Sequence, residues 1–351
     1  MNQRNRTRGL ASASLALALA LTLWAAPAAV GAQDKSEDKK SDDKKAKFVP
    51  PSDAQAVLWR DPGDISSRDL LNGPGGETGK PDVSNLTFVE WDNTGFSLGV
   101  RVRDGAGRTW VGKIGKEAQP ETAASRLLWA AGYMTEIHYL FPCVQIKGAT
   151  EPPKKVERCE GNGFTNVRFE ARPEGVKRLD EWTWAQNPFA NTKEFRALIL
   201  MMAFINNWDL KDSNNKVIYV PASGGAGSGE LHYIISDLGA TFGKTGGFIS
   251  RNRNAPKDYA KAKFIEGVEG GRVRINYGGK NKGLMDQVGV EDAAWLGRLL
   301  SQLSDKQIAD AFRAANFTDE EVQLLAGAVR TRINQLTSLG GGATATSQTR
   351  E

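Results

Sequence analysis

A dense run of Asn, Asp and Lys interrupts the apolar middle of the chain, in the segment FINNWDLKDSNNKVIYV at residues 204–220. Carboxylate and amide oxygens bind hard divalent cations, and a carboxylate can accept a proton from a reacting hydroxyl. Asp209 and Asn214, five residues apart, could share such chemistry. A solvated loop of turn and cap residues explains the same composition, so the rest of the sequence must decide between the two.

A second acidic segment and a lysine–glutamate pair extend this set of ionic residues. Asp237 stands in YIISDLGATFG, a strand-like run that leads into a turn at Gly239. Lys113 lies in the strand-like TWVGKIG, and the helix that follows places Glu121 on one stripe with Leu128. A carboxylate on the core-facing stripe of a helix is costly unless it is paired. The sequence therefore predicts an ion pair between Glu121 and Lys113.

Strand-like patterns dominate the first half of the chain. Residues 86–115 alternate as antiparallel strands do, with a tight turn at Asp104-Gly105. The helix QPETAASRLLWAAGY comes next, with Pro120 at its start and Gly132 at its end. Further strands are predicted at 135–146 and 166–172.

Beyond about residue 175 the pattern is mainly helical. A buried helix is predicted at 191–207, with Asn191 as its cap and Glu194 three residues later. Two strands, KVIYV and LHYIISD, follow it, and the last helices run from about residue 290 to 336, with Thr318 and Asp319 opening the final one. This order predicts an α+β protein with an antiparallel-sheet N-lobe at 51–173 and a mainly helical C-lobe at 174–338.

Together these segments resemble the protein-kinase-like superfamily, in an atypical form closer to lipid-kinase-like, HipA-like and secretory-pathway kinases. NWDLKDSN is similar to the catalytic loop H-R-D-L-x-x-x-N, DLG to the D-F-G segment, and TWVGKIG to the strand with the phosphate-contacting lysine. The resemblance covers roughly residues 86–336 and is carried by short motifs.

The resemblance implies a two-lobed kinase fold, ATP as the phosphoryl donor and Mg²⁺ or Mn²⁺ as the metal. It also implies a role for each ionic residue. These are Asp209 and Lys211 as catalytic residues, Asn214 and Asp237 as metal ligands, Lys113, Glu121 and Gly95 (in the turn DNTGFSLG) as nucleotide-binding residues, and Arg172 and Pro173 near the hinge between the lobes.

The chain departs from the family pattern at several points. Asn207 and Trp208 replace the His and Arg of the family loop, so control through an Arg bound to a phosphorylated activation loop is not expected. The A-P-E segment is absent, and Lys113 and Glu121 are closer in sequence than in typical protein kinases.

Three functions fit this sequence. The first is an exported kinase that phosphorylates a hydroxyl of a protein, lipid or small molecule. The second is a pseudokinase that serves as a binding module without turnover, and the third is AMP transfer on the same scaffold. A nucleic-acid partner is not expected, because no concentrated basic stripe follows the N-terminal segment.

The N-terminus has the pattern of a secretory signal. Arg4, Arg6 and Arg8 precede an apolar run at 15–24, and small residues at 30–32 predict cleavage near Ala32. Export to the periplasm or outside is therefore expected, with no stable membrane span in the mature chain. Loss of the three arginines lowers the formal net charge of +5 by three. Residues 33–50 predict a disordered charged linker, and residues 339–351 a disordered tail.

The chain has two cysteines, Cys143 and Cys159, and two histidines, His138 and His232. In an exported protein a disulfide is the leading interpretation of the cysteines, and two free thiols are the alternative. The four residues lack the spacing of a zinc site. GPGGETGKP at 73–81 is similar to a phosphate-binding loop but has Pro81 where such loops carry Ser or Thr, so it predicts a surface turn.

Overall fold

The computed structural model describes residues 48–225, 227–246 and 250–345. The signal segment, residues 33–47 of the predicted linker and the last six residues of the predicted tail lie outside this part of the chain. At its start, the ring of Phe48 packs on that of Tyr219 with centroids 5.2 Å apart.

Thirteen strands form within the described residues. In chain order they are β1 (Gln55–Val57), β2 (Leu86–Asp92), β3 (Leu98–Arg103), β4 (Thr109–Ile114), β5 (His138–Val144), β6 (Ile146–Lys147), β7 (Arg158–Cys159), β8 (Gly163–Ala171), β9 (Lys177–Arg178), β10 (Asn215–Val220), β11 (Glu230–Ile235), β12 (Ile265–Glu269) and β13 (Arg272–Ile275).

These strands build one large and two small sheets. The large sheet has the order β5-β8-β4-β3-β2-β6, with β7 paired to β8. Its pairs are antiparallel except for β2 with β6. The second sheet has the order β1-β11-β10-β9, and β12 pairs with β13 as a separate hairpin. The pairing of β4 with β8 sets Lys113 opposite Arg168, so both side chains lie on one face of the large sheet.

Six α-helices accompany the sheets in the described part of the chain. They are α1 (Ala118–Ala130), α2 (Lys193–Phe204), α3 (Pro256–Lys261), α4 (Val290–Leu300), α5 (Asp305–Arg313) and α6 (Asp319–Ala345). Five of the six follow residue 175, as the sequence indicated. The predicted α+β class, with an antiparallel sheet first and mainly helical structure after it, is confirmed.

Two apolar cores stabilise this arrangement. One is formed by buried side chains of the large sheet, among them Val100, Trp110 and Phe169. The other surrounds α2, whose residues from Phe195 to Phe204 are buried at all but one position, and it extends to α1 and α4–α6. The described residues cluster as one compact unit. The boundary between lobes at 173/174 stays a prediction.

The structure differs from the sequence predictions at two helix ends. The cap of α2 is Thr192, whose hydroxyl accepts a hydrogen bond from the amide of Phe195, and not Asn191. Helix α6 continues to Ala345, seven residues into the predicted disordered tail. Near this end α6 lies close to α4, since a Cβ at Gly340 would be 3.3 Å from the Cβ of Ala294.

Two other predictions can be compared directly with the structure. Cys143 and Cys159 form a disulfide, as expected. The GPGGETGKP segment forms a short 3-10 turn at Gly73–Gly75. Gly73 is buried against the guanidinium of Arg126, so the segment is anchored more deeply than a simple surface turn. None of the helices in the described residues combines the length and the apolar composition of a membrane span.

Candidate active site

The ammonium of Lys113 lies between two carboxylates. Its Nζ is 2.7 Å from Oε2 of Glu121 and 3.4 Å from Oδ1 of Asp237. Lys113 is on β4, Glu121 is in the first turn of α1 and Asp237 follows β11. Glu117, which directly precedes α1, is a further neighbour at 3.9 Å. The structure thus brings Lys113, Glu121 and Asp237 together from three separate elements.

A buried arginine that was missing from the predicted set supports this group. Nη1 of Arg168 is 3.4 Å from Oε1 of Glu121, and its Nη2 is 3.3 Å from Oε2 of Glu170. Burial raises the pKa of Glu121, whereas the charges of Arg168 and Lys113 oppose that rise. The alternation of VRFEA on β8 places both Arg168 and Glu170 on one face of the strand. Two charges on one face of the segment VRFEA, whose other residues are apolar, were therefore a signal in the sequence.

Asp237 is held at the start of a tight turn. Its Oδ1 accepts a hydrogen bond of 3.1 Å from the amide of Gly239. A side chain at Gly239 would come within 2.5 Å of the Cβ of Glu117, so a residue without Cβ is needed there. The Asp237 side chain is 39% exposed and so remains accessible to a ligand.

Asp209 and Asn214 lie in the loop that follows α2, called here the Asp209 loop (residues 206–214). The chain leaves the helix at Asn206, which has the left-handed φ of 53°. Nδ2 of Asn214 donates to the carbonyl of Asp209 at 2.6 Å. The amide of Asp237 donates to the carbonyl of Asn214 at 3.3 Å, so the two predicted metal-ligand residues lie on directly bonded segments.

Two lysines flank the carboxylate of Asp209. Nζ of Lys211 is 2.9 Å from Oδ2, and Nζ of Lys280 is 2.8 Å from Oδ1. Burial acts to raise the pKa of Asp209, but hydrogen bonds and charge from Lys280 and Lys211 outweigh it and hold the pKa below its ordinary value. Lys280 was not predicted, because it lies 71 residues from Asp209 in a loop without a motif.

Gly95 occupies the exposed loop between β2 and β3, and its carbonyl accepts a hydrogen bond from Lys154. The next residue, Phe96, connects this loop to the Asp209 loop through Arg253. The guanidinium of Arg253 lies 4.7 Å from the ring centroid of Phe96 and 4.9 Å from that of Trp208. Arg253 also pairs with Glu117. Gly95 therefore lies beside a bridge between the two loops.

Arg172 and Pro173 lie between β8 and β9, and Arg172 pairs with Glu170. Arg178 on β9 also contacts Glu170, at 3.1 Å. A series of ionic contacts therefore runs from this connection through Glu170 and Arg168 to the lysine–glutamate pair.

Two residues of this group could hold a hard divalent cation. Asp237 offers a partly exposed carboxylate and Asn214 an amide oxygen. Because Nδ2 of Asn214 is engaged by the carbonyl of Asp209, its Oδ1 is the atom suited to a metal. One carboxylate and one amide oxygen suit Mg²⁺, which usually takes its remaining ligands from water and substrate phosphates.

Comparisons with known proteins give structural similarity only. No known protein family matches the chain, and no curated protein matches it. The solved structures that are similar to it include the following two. One is the proinflammatory kinase CtkA of Helicobacter pylori, at 10% identity and a TM-score of 0.42, covering 72% of this chain and 96% of that one. The other is the Rio2 kinase–ADP/Mg²⁺–phosphoaspartate complex from Chaetomium thermophilum, at 14% identity and a TM-score of 0.29, covering 71% of this chain and 72% of that one.

Proposed function

We propose that this protein is a kinase-like phosphotransferase that uses ATP with Mg²⁺ or Mn²⁺ to phosphorylate a hydroxyl acceptor. The observation that carries the proposal is the position of Lys113, between Glu121 at 2.7 Å and Asp237 at 3.4 Å. Phosphoryl transfer depends mainly on positioning and on neutralising phosphate charge. A cation fixed by a buried carboxylate, next to an accessible carboxylate, is suited to that task.

Each residue of the set has a distinct role in this proposal. Glu121 holds the ammonium of Lys113, which binds phosphate oxygens. Asp237 and Asn214 hold the metal, which neutralises charge on the phosphates when it is bound. The loop that carries Gly95 covers the phosphates.

Asp209 acts on the acceptor. In the transfer the acceptor oxygen forms a bond to phosphorus, the bond to the departing oxygen of ADP breaks, and the acceptor proton passes to the carboxylate of Asp209. The pKa of Asp209 lies below its ordinary value because Lys280 and Lys211 oppose the effect of burial, so this carboxylate is ionised at neutral pH. Lys211 balances its charge at 2.9 Å.

Mass spectrometry after incubation with Mg-ATP tests the proposal. Added phosphate on the protein or on an offered hydroxyl acceptor, abolished by Asp237→Ala, is the expected result. The matched control is Asp286→Ala, which removes an exposed carboxylate outside the site. Added AMP would instead support AMP transfer. No modification and no magnesium-dependent ATP binding would support a binding module without turnover.

We also propose that the protein works outside the cytoplasm. The disulfide between Cys143 and Cys159 supports this, because such bonds persist mainly in oxidising compartments. The predicted signal segment supports it independently. N-terminal sequencing of protein from the periplasm or medium should find a start at or near Gln33; a start at Met1 would contradict processing of the signal.

A further inference from the structure

A short segment of residues 277–281, with the sequence YGGKN, contacts the Asp209 loop through several of its residues. We call it the clamp segment. It follows β13 and lies about 70 residues from the loop in sequence. Three of its hydrogen bonds are donated to backbone carbonyls of the Asp209 loop. They run from the hydroxyl of Tyr277 to the carbonyl of Asn207 at 2.7 Å, from the amide of Lys280 to that of Trp208 at 2.8 Å, and from Nδ2 of Asn281 to that of Leu210 at 2.7 Å.

The local sequence explains how the segment comes so close. A side chain at Gly279 would lie 2.7 Å from the Cα of Trp208, so only glycine allows this approach. Asn281 adopts a left-handed φ of 51°, a conformation that Asn tolerates better than most residues. Burial raises the pKa of Tyr277, so its hydroxyl keeps the proton that it donates.

The side chain of Lys280 adds a fourth contact. Its ammonium holds Oδ1 of Asp209 at 2.8 Å, while Lys211 holds Oδ2 at 2.9 Å. With one cation on each oxygen, the carboxylate is held against rotation. Lys211 alone would leave Oδ1 without this restraint. The backbone bond of Lys280 to Trp208 is independent of its side chain, so the ammonium can be removed while the clamp stays in place.

We propose that Lys280 is a positioning residue for the phosphotransferase reaction, which aims the carboxylate of Asp209 at the acceptor hydroxyl. The inference rests on the proposed function of Asp209. A misplaced reacting group can cost on the order of 100-fold in rate, so an aimed carboxylate has a measurable effect. The Lys280 side chain is 44% exposed, and its removal therefore has little effect on folding.

Three variants test the role of Lys280. Lys280→Met keeps the aliphatic stem and the backbone bond but removes the ammonium, and Lys280→Arg keeps the charge. Lys282→Met is the matched control, because Lys282 is exposed two residues away. The rate of ADP formation from Mg-ATP, the Kd for Mg-ATP and hydrogen exchange of peptides covering residues 205–215 are measured for each variant.

Lys280→Met should lower kcat by roughly 10- to 100-fold. The Kd for Mg-ATP and the exchange rates should stay within about two-fold of wild type, since the nucleotide and backbone contacts remain. Lys280→Arg should restore part of the rate, and Lys282→Met should match wild type. An unchanged kcat in Lys280→Met would overturn the proposal. Faster exchange together with a lower kcat would instead assign Lys280 a structural role and would equally overturn it.

A fourth variant separates failure of this proposal from failure of the proposed function. Asn281→Ala removes the bond to the carbonyl of Leu210 and should raise hydrogen exchange in residues 205–215, whether or not the protein turns over ATP. Absence of ADP formation in wild type would reject the phosphotransferase and with it the role of Lys280 in the reaction. Unchanged exchange in Asn281→Ala would reject the clamp itself.

Discussion

The two carboxylates of the site should fail in different ways when each is removed. Asp237 lies beside Lys113 and, in the proposed function, holds the metal, whereas Asp209 acts on the acceptor. Asp237→Ala should therefore weaken magnesium-dependent ATP binding itself. Asp209→Ala should leave ATP binding nearly intact and lower the rate of transfer.

The expected magnitudes follow from the contacts of each residue. A charged contact of the kind that Asp237 offers contributes about 1.5–3 kcal/mol, which corresponds to roughly 10- to 150-fold in the Kd for Mg-ATP. Loss of a proton acceptor such as Asp209 lowers kcat by roughly two to four orders of magnitude. Folding should be little affected by Asp237→Ala, since that side chain is partly exposed. The Asp209 side chain is 13% exposed, but its removal leaves two lysines that are about two-fifths exposed, so neither becomes a buried unpaired charge.

Calorimetric titration with ATP, with and without Mg²⁺, beside the rate of ADP formation, measures both quantities. Asn214→Ala should fall between the other two variants because it shares the metal, and Asp286→Ala is the control. Equal losses of binding in Asp209→Ala and Asp237→Ala would refute the division of roles. Binding that is the same with and without Mg²⁺ in wild type would remove Asp237 and Asn214 as metal ligands.

The remaining predictions concern stability. Burial, followed by nearby positive charges, holds the pKa of His138 well below its ordinary value. Below about pH 6.5 the unfolded chain therefore binds a proton at His138 that the folded protein does not bind. The free energy of unfolding should fall there by up to about 1.4 kcal/mol per pH unit. The free energy of unfolding in urea, measured from pH 7 to 5, should show this slope in wild type and in His232→Gln but not in His138→Gln. A slope that persists in His138→Gln would exclude His138 as its cause. Glu121→Gln removes the buried carboxylate that Lys113 and Arg168 share and should destabilise the fold by about 3 kcal/mol. A loss below 1 kcal/mol in urea would count against a tightly coupled pair. Replacing Cys143 and Cys159 by Ser should lower the free energy of unfolding by about 3 kcal/mol. Equal unfolding midpoints for the variant and wild type would disprove this.

Local periodicity made part of the site predictable. The helical stripe places Glu121 toward the core, and a buried carboxylate needs a cation, so Lys113 on the preceding strand was a natural partner. Similarly, an Asp before a glycine turn at the end of a strand is a local pattern, and Asp237 with Gly239 fits it. The pair of Lys113 and Glu121 needed only the spacing of residues within two adjacent elements, whereas Asp237 was selected by the resemblance of its segment to D-F-G.

The missing parts of the site depend on contacts between distant elements. Lys280 reaches Asp209 because Gly279 permits the approach of two loops about 70 residues apart, and nothing in either loop indicates the other.

The cap of α2 was assigned one residue early because Asn191 and Thr192 are both good cap residues. Only the backbone conformation at Thr192 decides between them.

In the proposed function, the buried charges near Lys113 have a role beyond stability. Burying Arg168 and Glu121 at 3.4 Å from each other carries a desolvation cost that their attraction only partly offsets, and apolar residues of similar volume often serve a core as well or better. What an apolar replacement could not do is fix an ammonium at the edge of the buried region, 3.4 Å from the accessible carboxylate of Asp237. Arg168 restrains one oxygen of Glu121, and Lys113 is left with the other. A cation held in this way is already in position when an anionic ligand arrives, so less of the binding energy is spent on ordering it.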